Sequence, residues 1–359
     1  MNSPLTLPRG RTDAQCLPRP QSRILARYTD RIDLLLKSCS VSIALFGAPV
    51  IAAGQAGAST AVCTTTPGPG VDLHGCNLSG AELVKVNLSN ADLAGANLSN
   101  ANLTGANLNL ANLEGANLTG ANLSKAQFKI ADLNGATATG ATFDHADMLF
   151  TEASGATFSN SSFIDTLIED ATLTGATMTN TNLTGAVIGG TDLSNAVLTG
   201  SKLTSANLVA NKLSGTNLSN ITVFGLASRA NRGVPSAIST GAVLSEGYLF
   251  APGVNLAGAV LGGITLVGVN LDQVNFQGAN LAAAKIKNSS IKKANFSNCN
   301  LRFANLKSSN LKKDNFTQAD LSSANLAGTN LTGVTSSGII GTPSQLPAGW
   351  AVVNGQLVQ

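Results

Sequence analysis

Leucine recurs at every fifth residue of ANLTGANLNLANLEGANLTGANL (Ala101–Leu123), with alanine two places before each one. An α-helix repeats every 3.6 residues and a strand every two, so neither produces this period. With the large apolar residue taken as the centre of each unit, the period runs from Leu73 to Val223 without a break. It makes 31 units, and only Ala138 and Ala153 lack a large apolar centre. A second run of 16 units, Leu256–Leu331, is filled throughout by Leu, Ile or Phe. The position two before the centre is small: in 27 of the first 31 units it is Ala, Cys, Ser or Thr. The position just before the centre favours Asn, Asp or Thr. The two after it favour Ser or Thr, then Gly or Asn.

One large and one small inward residue per unit, with turn formers between units, describe one side of a square coil. Four units make a turn of about 20 residues, and stacked turns would sit about 4.8 Å apart, the spacing of hydrogen-bonded strands. A single turn cannot bury its own leucine layer, so stability must come from stacking.

The A-(D/N)-L-x-x unit resembles the motif of the pentapeptide-repeat family, over residues 71–223 and 254–331. The resemblance implies an all-β fold: a right-handed quadrilateral β-helix, a solenoid, here in two blocks. It implies little about activity, because one fold hosts many functions.

The linker between the blocks repeats. Gly225–Ala251 aligns without gaps to Gly333–Gln359, with 8 identities in 27 positions, four of them Gly and one Pro. Within it, Glu246-Gly247 and Asn354-Gly355 each separate two apolar dipeptides, a hairpin signal. GPGVDL (Gly68–Leu73) and APGVNL (Ala251–Leu256) open the two blocks in the same way. The expected organisation is a 71–223 block, a 224–253 spacer hairpin, a 254–332 block and a 333–359 hairpin cap. Trp350, the one Trp, is expected as a lid over the coil end, and the cap is expected to block end-to-end stacking.

Residues 1–58 read differently. Seven Lys/Arg against three acids precede an apolar run that ends in small residues, the pattern of a signal peptide with a long basic leader. Cleavage after Ala58 would leave 59–70 as an N-terminal cap and implies a secreted, periplasmic or cell-surface protein; left uncleaved, the segment would be an N-terminal anchor, although Pro49 and its Gly/Ala content make it a poor spanning helix. The net charge of +3 falls to about −1 without that segment, so the basic balance does not point to nucleic acid. No later stretch is apolar enough to span a membrane. Cys16 and Cys39 would leave with the signal. In an oxidising compartment Cys63 and Cys76 could bridge the loop CTTTPGPGVDLHGC; alternatively Cys76, like Cys299, simply fills a small inward position.

No nucleophile elbow, phosphate loop or paired metal-ligand motif occurs, so no catalytic residue, cofactor or metal site is expected. Asp144, His145 and Asp147 are close together but read as solvated turn residues. Residues four units apart should stack, and this gives one acidic column: Asp72, Asp92, Asn112, Asp132, Glu152, Thr172, Asp192, Lys212. Block 1 carries 12 acids and 5 bases, whereas residues 254–332 carry 8 bases and 3 acids. There the pairs Lys287/Lys307, Lys292/Lys312 and Lys293/Lys313 should stack like charge on like. Asp314 falls on a small inward position, where an unpaired carboxylate is costly, and local unwinding is expected. Ala138 would leave a hole that Phe143 and Phe158 could fill.

These features suggest a non-enzymatic exported structural or protein-interaction module, its partner an unknown protein or anionic surface. A flexible spacer would let the oppositely charged blocks meet in weak, salt-sensitive self-association. Two other readings arise: a DNA mimic acting on gyrase, from the acidic column, and ice binding. The latter rests on the Thr137/Thr139, Thr157/Ser159 and Thr177/Thr179 strip.

Overall fold

The computed structural model describes Cys63 and residues 65–359; the signal segment, with Cys16 and Cys39, lies outside the described residues. Among the described residues there is no helix, and the chain forms a four-sided β-solenoid. Each side contributes a short bridge or strand, and each pairs in parallel with its equivalent in the next coil. One column runs Asp72, Asp92, Asn112, Asp132 and onward. The ladder is continuous: Leu73 N–H donates to Asp92 O at 2.7 Å, and Asp92 N–H donates back to Val71 O at 2.9 Å.

The five-residue grammar follows from one turn type. Cys76 N–H closes a turn on Leu73 O at 3.0 Å, and Gly75, the third residue of that turn, has φ +63°. A left-handed third residue is the type II pattern, which explains Gly or Asn two after the centre. Asn and Asp just before the centre cap the turn. Asn97 Oδ1, for example, accepts Ser99 N–H at 3.1 Å while Asn97 Nδ2 donates to Asn77 Oδ1 at 3.1 Å. Inside, Leu88, Leu93, Leu98 and Leu103 are fully buried, as are the alanines beside them. Burying each such leucine is worth about 1.5–3 kcal/mol. Ala138 and Ala153 are fully buried too. Phe128, Phe143, Phe158 and Phe163 cluster at their levels, with Phe143 and Phe163 stacked at 4.7 Å, so aromatic bulk replaces the missing leucines.

The two blocks and their hairpins are present, but two expectations about them need correction. First, the coil register does not stop at Val223. It continues through Lys212↔Arg232 and Asn217↔Ala237, and likewise past 332 through Asp320↔Ile340 and Asn325↔Gln345. Second, the spacer is not a flexible hinge. Val243–Ser245 and Tyr248–Phe250 form the antiparallel hairpin, after which Asn255 pairs back onto Ala227. Asn255 N–H donates to Leu226 O at 2.8 Å, and Gly225 N–H donates to Gly253 O at 2.7 Å. Block 2 is therefore stacked on block 1 by one enlarged turn, from Ala227 to Asn255, and the blocks cannot fold back on one another. The first hairpin, which has Ala242 where the second has Trp350, carries a block on top of it.

The linker repeat holds in three dimensions. In the first copy Asn231 N–H donates to Gly247 O and Leu249 N–H to Ser228 Oγ. At the aligned positions of the second, Ile339 N–H donates to Gly355 O and Leu357 N–H to Ser336 Oγ. Ala351–Val353 pairs with Gln356–Val358 in the register of the first hairpin. Several identities in the alignment are contact residues. Gly233 and Gly341 each lie against a serine of the coil below, Ser214 and Ser322, leaving no room for a Cβ. Trp350 is half-buried against the end of the core.

Candidate interaction surface

Polar side chains that do point inward are used by the coil itself. Thr191 Oγ1 donates to Ile168 O at 2.9 Å, Ser309 Oγ to Ile286 O at 2.9 Å and Asn211 Nδ2 to Ile188 O at 2.8 Å, each reaching a carbonyl of the preceding coil. The Cys299 thiol does the same toward Phe276 O at 3.0 Å, and burial pushes its pKa up to about 12. It is therefore an inert, small buried side chain.

Asp314 obeys the same rule, and the coil is not unwound around it. It is fully buried, and the register passes through it undisturbed, Asn310↔Asn330 and Asn315↔Thr335. Its Oδ1 accepts Ala294 N–H at 2.9 Å, just as Asn211 Oδ1 accepts Thr191 N–H at 2.9 Å. Its Oδ2 accepts no hydrogen bond. Burial raises its pKa to about 8, and the Asp272 charge adds to the rise. A protonated Oδ2 is a donor, so Asp314 occupies the coil as a neutral analogue of the Asn211 amide.

The acidic column stacks as expected but is not a row of exposed carboxylates. Asp132 and Glu152 are only 8% and 5% exposed. Burial raises the Asp132 pKa, and Glu114 reinforces the shift while the Asn134 N–H opposes it. Asp92 accepts from Asn112 Nδ2 at 3.0 Å and from Ala94 N–H at 3.1 Å. At the far end Asp192 is paired with Lys212 at 2.9 Å. Partial burial works against ionisation there, but hydrogen bonds from Ser194 and Lys212 outweigh it and hold the carboxyl below its usual range. Asp72 caps its own turn by accepting His74 N–H at 3.0 Å. The column thus takes part in the coil's own hydrogen bonding.

The lysine columns are real neighbours: Lys293 N–H donates to Lys312 O and Asn288 N–H to Lys307 O. Lys292 avoids Lys312 by turning to Asp272, with Nζ 3.1 Å from Oδ2. Arg302 lies 3.6 Å from Asp320. Among the described residues, Lys287, Lys293, Lys307, Lys312 and Lys313 have no carboxylate within ion-pair distance. The structure does not bring Asp144, His145 and Asp147 together on one centre. Asp144 accepts from Ser162 Oγ and from Ile164 N–H at 2.9 Å, His145 faces Asp165 at 3.9 Å, and Asp147 pairs with Lys129 at 3.1 Å. Among the described residues no group of three metal-ligating side chains converges.

Cys63 and Cys76 are joined by a disulfide with Cα atoms 5.6 Å apart, and Cys76 also fills its small inward position, 6% exposed. One surface feature goes beyond the sequence reading. Where the enlarged turn departs from the regular ladder it opens a cleft of about 290 Å³, lined by Asn207, Arg229, Tyr248, Asn255 and Val260 among others. Its readable signal is the change of phase between the two runs of apolar centres.

The family profile described as pentapeptide repeats, in copies of eight, matches overlapping stretches from 72 to 220 and from 253 to 335, more than half of the chain. The chain belongs to the pentapeptide-repeat family. Among solved structures it is similar to HetL, a pentapeptide-repeat protein involved in heterocyst differentiation regulation in the cyanobacterium Nostoc sp. strain PCC 7120. Identity is 25% over 70% of this chain and 91% of that one, with a TM-score of 0.24. It is also similar to QnrB1, a plasmid-mediated fluoroquinolone resistance protein, at 20% identity over 56% and 84% of the two chains and a TM-score of 0.17. A pentapeptide-repeat protein of the Arabidopsis thaliana thylakoid lumen matches at 26% identity over 36% and 67%, with a TM-score of 0.12. No curated protein matches the chain in sequence.

Proposed function

We propose that this pentapeptide-repeat protein is a non-catalytic, exported interaction module that binds a protein partner or surface carrying anionic groups. The carrying observation is the set of Lys287, Lys293, Lys307, Lys312 and Lys313 on adjacent faces of block 2, without carboxylate partners among the described residues. Stacked ammonium groups repel, and an anionic partner relieves that cost better than solvent does. Inward polar groups are engaged by coil-to-coil hydrogen bonds and the acidic column largely by the amides of its own turns, which leaves the lysine faces as the less engaged charged surface. Export rests on the leader sequence and on the Cys63–Cys76 disulfide, which suits an oxidising compartment.

The test is in-cell crosslinking of the exported protein, followed by the same experiment with Lys307, Lys312 and Lys313 changed to Glu. The reading expects a discrete neighbour that the lysine variant loses and that an Asp92→Asn variant keeps. Equal capture by both variants would remove the lysine faces from the function. Sequencing of protein from the native host should place the mature N-terminus near Ser59.

A further inference from the structure

The linker repeat makes the end of block 2 a copy of the end of block 1. At the first copy the edge is occupied: Gly225 N–H and Leu226 O hold Gly253 and Asn255 of the following coil. Their counterparts are Gly333 N–H and Val334 O, and neither has a hydrogen-bond partner among the described residues. Exposure changes in step. Leu226 and Phe250 are fully buried under block 2, whereas Val334 is half-buried and Val358, the counterpart of Phe250, is 37% exposed. The supporting hairpin below the edge is the same in both copies.

The segment that fits such an edge also occurs twice. Ala251–Leu256 occupies it internally, and Gly68–Leu73 has the same Pro-Gly-Val step, with Gly70 at φ +64° and Gly253 at φ +75°. Asp72 N–H and Gly70 O, the groups matching those used by Asn255 and Gly253, have no hydrogen-bond partner among the described residues. Val71 is half-buried where its counterpart Val254 is fully buried. What stands in the way is the N-terminal cap. Thr65 Oγ1 donates to Asp72 O at 3.4 Å, and the Cys63–Cys76 disulfide ties the cap across this end.

The geometry points to head-to-tail docking of a second copy: its first coil adds to the Gly333–Val334 edge once the disulfide-tied cap is displaced. Asp72 of one copy then pairs with Thr335 of the other, as Asn255 pairs with Ala227 within the chain. The acidic block 1 of one copy meets the basic block 2 of the next, with Lys313 packed beside Gly333 at the edge. A dithiol reductant releases the cap by giving two electrons and two protons to the disulfide, leaving two protein thiols and its own cyclic disulfide. The contact is heterologous, so it propagates instead of closing. Trp350, half-buried against the end of the core, stands where the first linker has Ala242 and is the largest departure from the internal template.

Sedimentation of the full chain, oxidised and then with dithiothreitol, tests this. The oxidised protein should remain monomeric. The reduced protein should form species of at least twice the monomer mass that grow with concentration, with a blue shift of Trp350 emission. V358D, checked for an unchanged circular dichroism and melting temperature in the oxidised monomer, should abolish the growth. In a C63S/C76S background that also carries C16S/C39S, D72C/T335C should give a ladder of intermolecular crosslinks on oxidation, and T335C alone should not. A reduced protein that stays monomeric while its circular dichroism is unchanged overturns the proposal. So do crosslinked dimers from T335C alone, which would mean tail-to-tail contact, or growth that survives V358D. If C63S/C76S fails to fold, the reduced wild-type chain with and without V358D still decides the question. Association on reduction that persists after the block 2 lysines are changed to Glu supports edge docking and separates it from anion binding.

Discussion

Replacing Asp314 by Asn should stabilise the protein at neutral and alkaline pH and make no difference in acid. Asp314 is fully buried with one carboxyl oxygen engaged by Ala294 N–H and the other lacking a donor. Its pKa rises from 3.8 to about 8 because burial penalises the charge. The folded state therefore holds the proton more tightly than the unfolded chain. Wild type is unaffected below pH 3.8, loses stability as the pH climbs from there to about 8, and then levels off. At roughly 1.4 kcal/mol per pH unit the loss at pH 7 is about 4 kcal/mol. An Asn side chain carries no such dependence. Its Nδ2 would donate to Ile291 O in the preceding coil, in the way Asn211 Nδ2 donates to Ile188 O. Because a solenoid can unfold in parts, the measurement should follow block 2 separately. Hydrogen exchange at the Ala294 and Thr335 amides, compared between wild type and variant at each pH, does this, since both amides bond to Asp314. An infrared band of a protonated carboxyl in wild type, lost in the variant, would give the protonation state directly. A variant that is less stable than wild type at pH 8, or a difference that does not change with pH, would refute the protonated-acid account.

Leu103→Asp should abolish soluble expression, because it buries a charge in a fully closed leucine stack, whereas Thr104→Asp on the outer turn should shift the melting temperature little. Ser228→Ala should cost about 1–3 kcal/mol in urea unfolding, since it removes the acceptor of the buried Leu249 N–H and the partner of Asn231 Nδ2. Gly247→Ala should destabilise more than Gly355→Ala. An added Cβ would come 2.9 Å from Ala230 Cα in the first hairpin but only 3.5 Å from Gly338 Cα in the second. Equal melting shifts for the two would contradict the packing difference.

What the sequence shows and what it hides divide along one physical line. Leu103, Phe143 and Asp92 sit where the five-residue period puts them because side-chain direction is fixed locally: each unit closes its own turn, and direction follows from the turn. Stacking of every fourth unit follows from four such turns. Asp314 is misread from sequence because the period fixes that its side chain points inward but not what it meets. The Ala294 amide, one coil away, becomes its partner only once the coils are stacked. The acidic column is no open surface for the same reason. Asp132 and Glu152 are outward by periodicity, yet their burial depends on neighbours one coil away. The spacer is the sharpest case. Its hairpin turns at Glu246-Gly247 and Asn354-Gly355 are local signals and stand where the sequence places them. The pairing of Ala227 with Asn255 is a non-local bond that closes over the whole hairpin, and no periodic signal survives that step. The eight identities between the two linkers are nonetheless a record of it. Ser228, Gly233, Gly247 and Leu249 are shared because each touches the coil below, so two linkers that keep the same contact residues must rest on the same platform. One of those platforms carries a stacked block, and that fact, absent from any single linker, gives the edge at Gly333 and Val334 its meaning.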